Sequence, residues 1–421
     1  MTDEKKLYQV YNQALEIFAW KEEDLIRIQN INDKVLEIFS EGIKSLKLNA
    51  DPFIGGSVAK KTFSRNFDID IFIRFKRTGR NLSYKCEELM KFLVNRGFIK
   101  DYVKIHGSRD YFRTFIQGVK VEVVPIKFIR SPSEAENITD VSPFHVEWFK
   151  CHSNDILSKD VIILKTFLRA NRLYGAETYR RGLSGYLCEL LVIYYNGFLN
   201  VLKGILDWKE KQIIDVSNQY KNESEIEKRF YSKSIPLIVV DPVDKSRNAA
   251  AALSYENFLK LKALVANFLK NPSLDFFYKK DLKQLSRPLL FFRVKLLDGN
   301  EDVVATNVVK RFRKLYNLLK EFDFNPSLFE YDFDFDQGIG EIVISCLMNI
   351  SEDRLVIGPP LHITKDVENF KRKYKETFVK NNRVCALIKR QHTNPLTLVE
   401  TFLSKLNVEN NKFQLISFEV L

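Results

Sequence analysis

Two aspartates separated by a single residue lie in a short apolar segment that follows a loop of small residues. The segment 67–73 reads FDIDIFI, and the loop at 55–57 reads GGS. On a β-strand alternate side chains face the same way, so Asp68 and Asp70 would share one face while the apolar residues between them face a core. Two like charges this close repel each other unless a cation joins them, so the pattern indicates a divalent metal ion.

A second alternating segment supplies a candidate third acid. In residues 119–125 the valines at alternate positions would face the core, which leaves Glu122 on the other side. Phosphoryl transfer with two metal ions about 3.5–4 Å apart needs carboxylates that can bridge them. If this strand pairs beside that of Asp68 and Asp70, the three carboxylates converge. Taken alone, Glu122 would more often be an ordinary solvated residue.

The loop before the first of these strands suits phosphate. Gly56 lets backbone amides approach an anion, and Ser57 can donate its hydroxyl hydrogen. Two lysines that begin at Lys60 add positive charge. A Gly-Gly-Ser sequence by itself is usually only a turn, but its position shortly before the two aspartates favours a triphosphate site.

Length and charge limit the possible classes of protein. A chain of 421 residues is too long for a single core, so we expect two to four domains. The net charge of +12, with a pI of about 9.2, points to a polyanionic partner, and nucleic acid is favoured over a membrane. A basic excess can also serve solubility alone, so the charge does not decide the partner.

Cysteines and hydropathy predict a cytoplasmic protein. The five cysteines are scattered without a CxxC spacing, which indicates neither a zinc site nor a disulfide framework and suits reduced thiols. The first residues, MTDEKK, lack the apolar core of a signal peptide. The most apolar stretch, 183–206, is interrupted by Glu189 and Lys203, so a buried helix explains it better than a membrane span.

Helices and strands alternate over residues 1–130 and predict a small α/β domain. Apolar residues three and four apart predict helix over 5–48. A further helix fits 83–95, with Ser83 as its N-cap and Gly97 as its C-terminal stop. Two strands joined by a tight turn follow, at 111–116 and 119–124.

The rest of the chain is helical at first and mixed later. Helical patterns run over 160–172, 183–205 and 257–268, with almost no strand signal before 270. A strand at 288–294 and a basic helix at 307–322 follow. Residues 329–336 alternate aromatic and acidic positions, which predicts a half-buried strand rather than a metal site. The fold class is therefore α+β with several domains.

Several sequence blocks resemble a known family. The Gly56–Ser57 pair, the two aspartates and a later strand acid resemble the polymerase-β nucleotidyltransferase superfamily. Further blocks resemble the archaeal, class I CCA-adding enzymes, which are tRNA nucleotidyltransferases: 142–145 (SPFH), 164–171 (LKTFLRAN), 174–177 (YGAE), 181–191 (RGLSGYLCELL) and 240–248 (VDPVDKSRN). The resemblance is dense from 54 to 277 and thinner beyond.

The resemblance implies a role for each candidate site residue. Asp68, Asp70 and Glu122 would be catalytic and would hold two Mg²⁺ ions. The residues implied in binding the incoming nucleotide are Gly56, Ser57, Lys60, His145, Lys165, Tyr174 and Arg247. Arg247 would help to select the base.

The residues themselves give partial support. Lys165 follows an apolar stripe on its helix, which would place it at the edge of a cleft, and Tyr174 precedes a glycine at a predicted helix end. Ordinary alternatives stay open: a surface lysine, a packed tyrosine, a buried and hydrogen-bonded His145, and a solvated Arg247 in a turn.

This sequence departs from the family pattern at several positions. Lys60 stands where arginine is more usual, which keeps the charge but loses the bidentate fork. Glu122 and Ser142 stand where aspartate and threonine are more usual. The phosphate loop is one residue shorter and lacks a glycine near 65–66. These departures bear on the tightness of triphosphate binding and on the rate.

The resemblance also implies a domain order. A nucleotidyltransferase head would occupy 1–150 and a helical neck 151–265. A body at 266–320 and 383–421, with a tail at 321–382 inserted in it, would grip the acceptor stem and the outer corner of tRNA. Basic residues on two predicted helices could follow phosphates or simply face solvent: Lys310, Arg311, Arg313, Lys314, Lys371, Arg372, Lys373 and Lys375.

The implied activity is template-independent addition of the 3′-terminal CCA to tRNA. The 3′-hydroxyl of tRNA would attack the α-phosphate of CTP twice and then of ATP, releasing pyrophosphate. The expected partners are therefore tRNA, CTP and ATP, with no membrane, for a monomer or homodimer. The alternatives are another terminal RNA nucleotidyltransferase, such as a poly(A) polymerase, and a catalytically decayed RNA-binding protein, against which the intact carboxylates argue.

Overall fold

The computed structural model describes residues 3–64, 67–76, 81–107, 109–230, 235–285, 288–409 and 412–421. The chain divides into two compact units, Met1–Lys279 and Lys280–Leu421. Positions 65–66, where the phosphate loop lacks a glycine, lie outside the described residues. Each unit contains both helices and sheets, which confirms the predicted α+β class.

The first unit begins with helices and a five-stranded sheet. Its elements are α1 (Asp3–Phe18), α2 (Glu22–Ser45), β1 (Ala50–Ile54), α3 (Gly56–Ala59), β2 (Ile69–Phe75), α4 (Leu82–Asn95), β3 (Val103–Ile105), β4 (Tyr111–Ile116) and β5 (Val119–Lys127). The sheet order is β1-β2-β5-β4-β3, with β2 and β5 parallel and the other neighbours antiparallel. Ile69, Ile71 and Ile73 are fully buried in one core with residues of α2 and α4, as the period-two pattern predicted.

The single helix predicted over 5–48 is two helices. The chain leaves the helix after Phe18, and the buried Trp20 donates its indole N–H to the carbonyl oxygen of Lys61 at 2.9 Å. The backbone N–H of Lys21 then donates to Asp24 Oδ2 at 2.8 Å as α2 begins. A contact between residues far apart in sequence therefore breaks a pattern that local periodicity continues.

The predicted N-cap of α4 is wrong by two residues. Asn81 Oδ1 accepts from the backbone N–H of Tyr84 at 3.2 Å, whereas Ser83 is buried in the first turn. Both residue types serve as N-caps, and burial of Ser83 decides between them. The predicted stop at Gly97 is confirmed, since Gly97 follows the C-cap Arg96 with φ of +72°.

The remainder of the first unit is mainly helical. Its elements are α5 (Ser142–His152), α6 (Asp155–Ala170), α7 (Gly185–Tyr195), α8 (Phe198–Asp207), β6 (Gln212–Asp215), α9 (Glu223–Phe230), β7 (Leu237–Val240) and α10 (Tyr255–Lys270), with short 3-10 turns at Pro132–Glu134, Ile138–Val141 and Leu274–Phe277. Almost no strand was predicted between about 150 and 270, but β6 and β7 lie there and pair in parallel. Each strand has four residues and β7 is buried throughout, so neither shows the alternation that marks longer strands.

The apolar stretch predicted as one helix over 183–205 bends by 91° between α7 and α8. Asn196 and Gly197 end α7 with φ of +56° and +119°, in the left-handed region that these residue types tolerate best. Over the described residues no single helix is long and apolar enough to cross a membrane, although this bent pair meets that criterion jointly by length and composition.

The first helix packs with the helical core. Leu7, Val10 and Ala14 of α1 are buried among residues of α6, α7 and α8. Tyr11 Oη also donates to Asp160 Oδ1 on α6 at 2.6 Å. The predicted boundaries of head, neck, body and tail stay predictions.

The second unit contains two antiparallel sheets. Its elements are a 3-10 turn (Leu282–Gln284), β8 (Leu289–Leu296), α11 (Glu301–Glu321), β9 (Leu328–Asp334), β10 (Ile339–Ser345), β11 (Asp353–Pro360), α12 (Thr364–Lys373), β12 (Thr377–Lys380), β13 (Arg383–Lys389), α13 (Leu396–Glu409) and β14 (Phe413–Val420). The sheet orders are β14-β8-β10-β9 and β11-β13-β12. Phe329 and Tyr331 of β9 are buried, which confirms the half-buried strand predicted there.

Candidate active site

The three predicted acids lie at one end of the parallel strand pair. Asp70 on β2 is directly opposite Glu122 on β5, and Asp68 immediately precedes β2. The intervening aliphatic residues, Ile69 and Ile71, are fully buried, so the acids lie on the opposite side of the strand from the core. The condition set by the sequence, that the Glu122 strand pairs beside the Asp70 strand, is met.

Two of these acids are paired with cations from the same sheet. Lys120 Nζ lies 2.8 Å from Asp68 Oδ2, and Arg113 Nη2 lies 3.2 Å from Glu122 Oε1. With the side chains so arranged, no three His, Cys, Asp or Glu residues within the described part of the chain are placed to hold a metal ion. A divalent cation at this site would therefore have to draw Asp68 and Glu122 away from Lys120 and Arg113.

The surroundings of Asp70 disfavour the charged form of its carboxyl group. Burial, followed by the charges of Glu122 and Asp68, raises the pKa of Asp70 to about 7, against the opposing charges of Lys60 and Lys120. Burial and neighbouring acids both disfavour the charged form of this carboxylate, and a divalent cation bound beside it would favour that form. The donor set of three carboxylates therefore fits a hard cation.

The raised pKa of Asp70 predicts a pH dependence of metal binding. Below pH 7 a proton must leave Asp70 before the ion can bind, so Mn²⁺ affinity without nucleotide should fall by up to about tenfold per pH unit. Calorimetric titration in two buffers of different ionisation enthalpy should detect close to one proton released at pH 6 and few at pH 8.5. Absence of proton release at pH 6 would contradict this account of Asp70.

The phosphate loop touches the catalytic strand directly. Gly55 donates its backbone N–H to the carbonyl oxygen of Asp70 at 2.8 Å, and α3 begins at the next residue. Gly56 has φ of +59°, and a Cβ built on it would lie 1.6 Å from Asp70 Oδ2. Ser57 is half-buried on the first turn of α3. Only a residue without a side chain fits at position 56.

Replacement of Gly56 by alanine should nearly abolish nucleotide addition. The methyl group would displace either the loop or the Asp70 carboxylate, and misplacement by about 1 Å can cost 100-fold in rate. Steady-state incorporation of labelled nucleotide measures the effect. Gly97→Ala is the matched control, because Gly97 has a similar φ of +72° but nothing within 4 Å of an added Cβ. Equal activity of both variants would contradict the close approach.

Glu189, a buried acid, forms ion pairs with two of the predicted nucleotide-binding lysines. Glu189 on α7 is 2% exposed, and its Oε2 accepts from Lys60 Nζ at 2.5 Å. Its Oε1 accepts from Lys165 Nζ and from Thr62 Oγ1, both at 3.0 Å. Burial alone would raise the pKa of Glu189, but Lys60 and Lys165 outweigh burial and lower the pKa to about 2. The two lysines and the acid therefore form one buried charged cluster with a net positive charge.

Lys165 does not lie at an open cleft edge. It is 3% exposed, and its ammonium group donates to Glu189 Oε1, Thr62 Oγ1 and the Thr62 carbonyl oxygen. The surface-lysine alternative is therefore wrong as well, and whether Lys165 binds a nucleotide stays a prediction. Sequence reasoning missed Glu189 as a site residue. Its signal was an acid alone in an apolar helix, which burial obliges to find a cation.

Tyr174 lies beside Lys165. A Cβ built on Gly185 would be 2.9 Å from Tyr174 Oη and 3.6 Å from Lys165 Nζ, so one glycine touches both side chains. The Arg169 guanidinium lies 4.3 Å from the centre of the tyrosine ring. Burial is the main cause that raises the pKa of Tyr174 to about 12, so its hydroxyl stays protonated.

His145 and Arg247 belong to a second cluster. The His145 ring on α5 stacks on Tyr186 of α7 with centroids 4.1 Å apart. Both side chains approach Asp241, a fully buried acid that also accepts from Arg247 Nη1 at 2.8 Å. Lys60 Nζ lies 5.8 Å from the Tyr186 ring centre, so Lys60 adjoins both clusters. Asp241 and Tyr186 were not among the predicted site residues.

Models of three families match successive parts of this chain. A nucleotidyltransferase domain matches residues 34–145, and the second domain of tRNA nucleotidyltransferase matches 159–278. The C-terminal domain of the CCA-adding enzyme matches 290–411. The carboxylate strands and the phosphate loop fall within the first match, and Glu189 and Asp241 fall within the second.

Curated relatives match nearly the whole chain. A CCA-adding enzyme of Nanoarchaeum equitans is 38% identical over 376 residues, which cover 88% of this chain and 91% of that protein. This chain belongs to the CCA-adding enzyme family. Family members from Methanococcus maripaludis strain C7 and Picrophilus torridus are 32% and 26% identical, over 91% and 96% of this chain and 89% and 91% of theirs. The resemblance to archaeal CCA-adding enzymes and the assignment as a nucleotidyltransferase are confirmed.

Solved structures share the fold of about two-thirds of this chain. A cytoplasmic RNA terminal U-transferase and the Cid1 poly(U) polymerase each give a TM-score of 0.50 at 11% identity. They cover 66% of this chain and 99% and 100% of their own. At this identity the likeness concerns the fold alone. Nucleotidyltransferases of this superfamily use divalent metal ions, in agreement with the acids gathered on β2 and β5.

Proposed function

We propose that this CCA-adding enzyme extends tRNA by C, C and A, taking CTP twice and ATP once and releasing pyrophosphate each time without a nucleic-acid template. The observation that carries the proposal is Asp70 in register with Glu122 beside the Gly56 loop, in a chain 38% identical to a CCA-adding enzyme over nearly its whole length. The tRNA 3′-hydroxyl oxygen attacks the α-phosphorus, and the bond to the bridging oxygen of pyrophosphate breaks.

The acids would hold two Mg²⁺ ions. Asp68 and Asp70 from one strand and Glu122 from the neighbouring strand would be the residues that hold them. When bound, such ions neutralise triphosphate charge and activate the hydroxyl. The Glu122 carboxylate is paired with Arg113. The proposal therefore requires the Glu122 side chain to rotate away from Arg113 when the ions bind.

The nucleotide would lie along the loop and the two buried clusters. The Gly56 and Ser57 backbone amides and the Lys60 ammonium group bind the triphosphate, since Lys60 adjoins both Glu189 and the Tyr186 ring. Lys165 and Tyr174 support it from one side and His145 from the other. Arg247, whose side chain is about one-third exposed, reaches the base.

The second unit would bind the body of the tRNA. Lys310 and Lys314 are exposed on α11, and Lys371, Arg372 and Lys373 are exposed on the last turn of α12. We propose that these cations contact phosphates, that the enzyme acts on tRNA in the cytoplasm, and that no membrane takes part. A monomer or homodimer and the four-part domain order complete the proposal.

The salt dependence of tRNA binding tests the basic helices. The logarithm of the binding constant should fall linearly with that of the salt concentration, by about 0.7–0.9 per phosphate neutralised. Replacing Lys371, Arg372 and Lys373 together by glutamine should reduce the magnitude of that slope by the amount expected for about two to three phosphate contacts. Filter binding at four salt concentrations measures it. A slope unchanged by the triple substitution would remove α12 from the interface.

Stepwise incorporation tests the reaction itself. A tRNA transcript that lacks its last three nucleotides should gain two residues from CTP alone and none from ATP alone. A transcript ending in CC should gain one residue from ATP. Unlimited tailing with ATP would instead support the poly(A) polymerase alternative, and no incorporation with tRNA binding retained would support the decayed RNA-binding protein.

A further inference from the structure

We propose that Asp241 is a positioning residue that aims the Arg247 guanidinium at the base of the incoming nucleotide. This inference rests on the proposed function, because it takes the base site beside Arg247 from there. It adds a residue to the selection of the base that acts through Arg247 and does not itself touch the substrate.

Asp241 joins three separate parts of the first unit. It directly follows β7 and has no solvent exposure. Its carboxylate accepts hydrogen bonds from Tyr186 of α7 and from Arg247 of the following turn. The His145 ring of α5 lies beside it. An acid that is buried and holds side chains from three elements fixes their relative positions.

The carboxylate has no freedom to rotate. Oδ1 accepts from Tyr186 Oη at 2.8 Å and from the Val243 backbone N–H at 2.9 Å. Oδ2 accepts from Arg247 Nη1 at 2.8 Å and lies 3.3 Å from His145 Nε2. Three donors therefore bind the two oxygens, and the His145 ring lies beside Oδ2. The bonds from Tyr186 and Val243 hold Oδ1 and so set the direction of the bond that Arg247 makes to Oδ2.

The charge of this carboxylate is secure. Burial acts to raise the pKa of Asp241, but His145, the Val243 N–H and Tyr186 together lower the pKa to about 2. The bond to Arg247 is thus a charge-assisted hydrogen bond at every working pH. Burial of the acid and partial exposure of the arginine make the acid the fixed member of the pair.

Arg247 has donors left for a ligand. Its backbone is held on both sides, since its N–H donates to the Asp244 carbonyl oxygen and its carbonyl oxygen accepts from the Asp241 N–H. Its guanidinium carbon lies 5.6 Å from the Tyr186 ring centre. Apart from the bond to Asp241, its side-chain N–H groups have no acceptor in the described parts of the chain. A planar fork fixed at one N–H presents the others in a defined direction, as reading the acceptors of a base edge requires.

The cluster around Asp241 adjoins the phosphate loop and the three catalytic acids. Tyr186, which stacks on His145, also lies within 5.8 Å of Lys60 Nζ, and the charge of Lys60 acts on Asp70. The aimed donors of Arg247 and the phosphate loop are thus linked through one aromatic ring. A shift of Asp241 would move the base contact without changing the three catalytic acids.

A double-mutant cycle tests the proposal. The enzyme variants are Asp241→Asn, Arg247→Lys and both together. The readout is the ratio of kcat/KM for CTP to kcat/KM for ATP misincorporation on tRNA that lacks all three nucleotides, with the misincorporation driven to a measurable level by high enzyme and ATP concentrations and long incubation. A ratio taken on one preparation does not depend on its folded fraction. We expect each single variant to lower the ratio by about tenfold or more. The ratio of the double variant should lie within about twofold of the lower of the two single-variant ratios.

The control is Asp244→Asn, which changes a half-buried acid in the same turn that accepts from the N–H and hydroxyl of Ser246. Its ratio should stay within about twofold of the wild type, because an asparagine keeps that turn. A wild-type ratio for Asp241→Asn, or losses that multiply in the double variant, would overturn the positioning role. A wild-type ratio for Arg247→Lys would overturn it together with the assigned base contact, whereas failure of the unmodified enzyme to add CCA would overturn the proposed function.

Discussion

Asp70→Asn is expected to lower the rate of nucleotide addition by about 1,000-fold or more, while tRNA binding stays unchanged. Asp70 is in register with Glu122 and two residues from Asp68, and burial together with these two charges raises its pKa, so loss of its carboxylate charge should affect a shared cation most strongly. Metal ions supply several kcal/mol of charge stabilisation in such transfers, and each 1.4 kcal/mol corresponds to about tenfold in rate.

Two measurements separate the metal role from a fold defect. Single-turnover addition of one C gives the rate, and electron paramagnetic resonance of Mn²⁺ gives the number and affinity of bound ions. Asp101→Asn is the matched control, since Asp101 has an exposed side chain just before β3 and its backbone carbonyl oxygen accepts from Thr114 Oγ1. Activity of Asp70→Asn within about tenfold of the wild type would refute the assignment of the metal site.

Lys165→Met is expected to destabilise the first unit and to weaken use of CTP and ATP. Removing one partner of a buried ion pair costs about 3–5 kcal/mol, and we expect the lower part of that range because Lys60 still pairs with Glu189. For a unit of this size the melting temperature should fall by about 5–10 °C. The KM for nucleotide should rise, and the dissociation constant of tRNA should stay unchanged.

A second variant distinguishes a buried charge from lost packing. Glu189→Gln leaves the buried Lys60 and Lys165 without an acid, so it should destabilise the first unit more than Lys165→Met does, although it changes the side-chain volume very little. Lys34→Met is the control, because Lys34 forms an exposed pair with Glu37 and should shift the unfolding free energy by less than about 0.5 kcal/mol. If Glu189→Gln is at least as stable as Lys165→Met, the charge account of the cluster is wrong. Loss of tRNA binding alone would contradict the nucleotide role of Lys165.

The catalytic strands were predictable because their signal is local. A period-two pattern places Asp68 and Asp70 on one face within three residues, and the same pattern places Glu122. Their pairing in parallel could not be read from either segment, since it depends on β5 lying between β2 and β4. From the sequence, convergence of the three acids depended on the two strands lying side by side, and the sheet pairs them with Asp70 opposite Glu122.

The clusters around the site were not predictable in the same way. Glu189 meets Lys60 across 129 positions of sequence, and Asp241 meets Tyr186 across 55. The local sequence around each partner does not indicate the other, so periodicity suggested the edge of a cleft for Lys165 but could not predict that its side chain is buried beside Glu189. The same limit explains the break at Trp20, which a hydrogen bond to Lys61 fixes from 41 positions away.

Short elements and competing caps account for the smaller errors. The four-residue strands β6 and β7 are too brief for alternation to appear. Asn81 and Ser83 are both good N-caps two positions apart, and only the burial of Ser83 decides between them. Such details moved element boundaries without changing the fold class.

Sequencing the 3′ ends of tRNAs extended by the purified enzyme tests the central claim most directly. With CTP alone, transcripts lacking their last three nucleotides should end in CC. With CTP and ATP together they should end in CCA and grow no further, and Asp70→Asn should leave them unextended. Ends with runs of A or U, or extension that continues past the third nucleotide, would contradict the account.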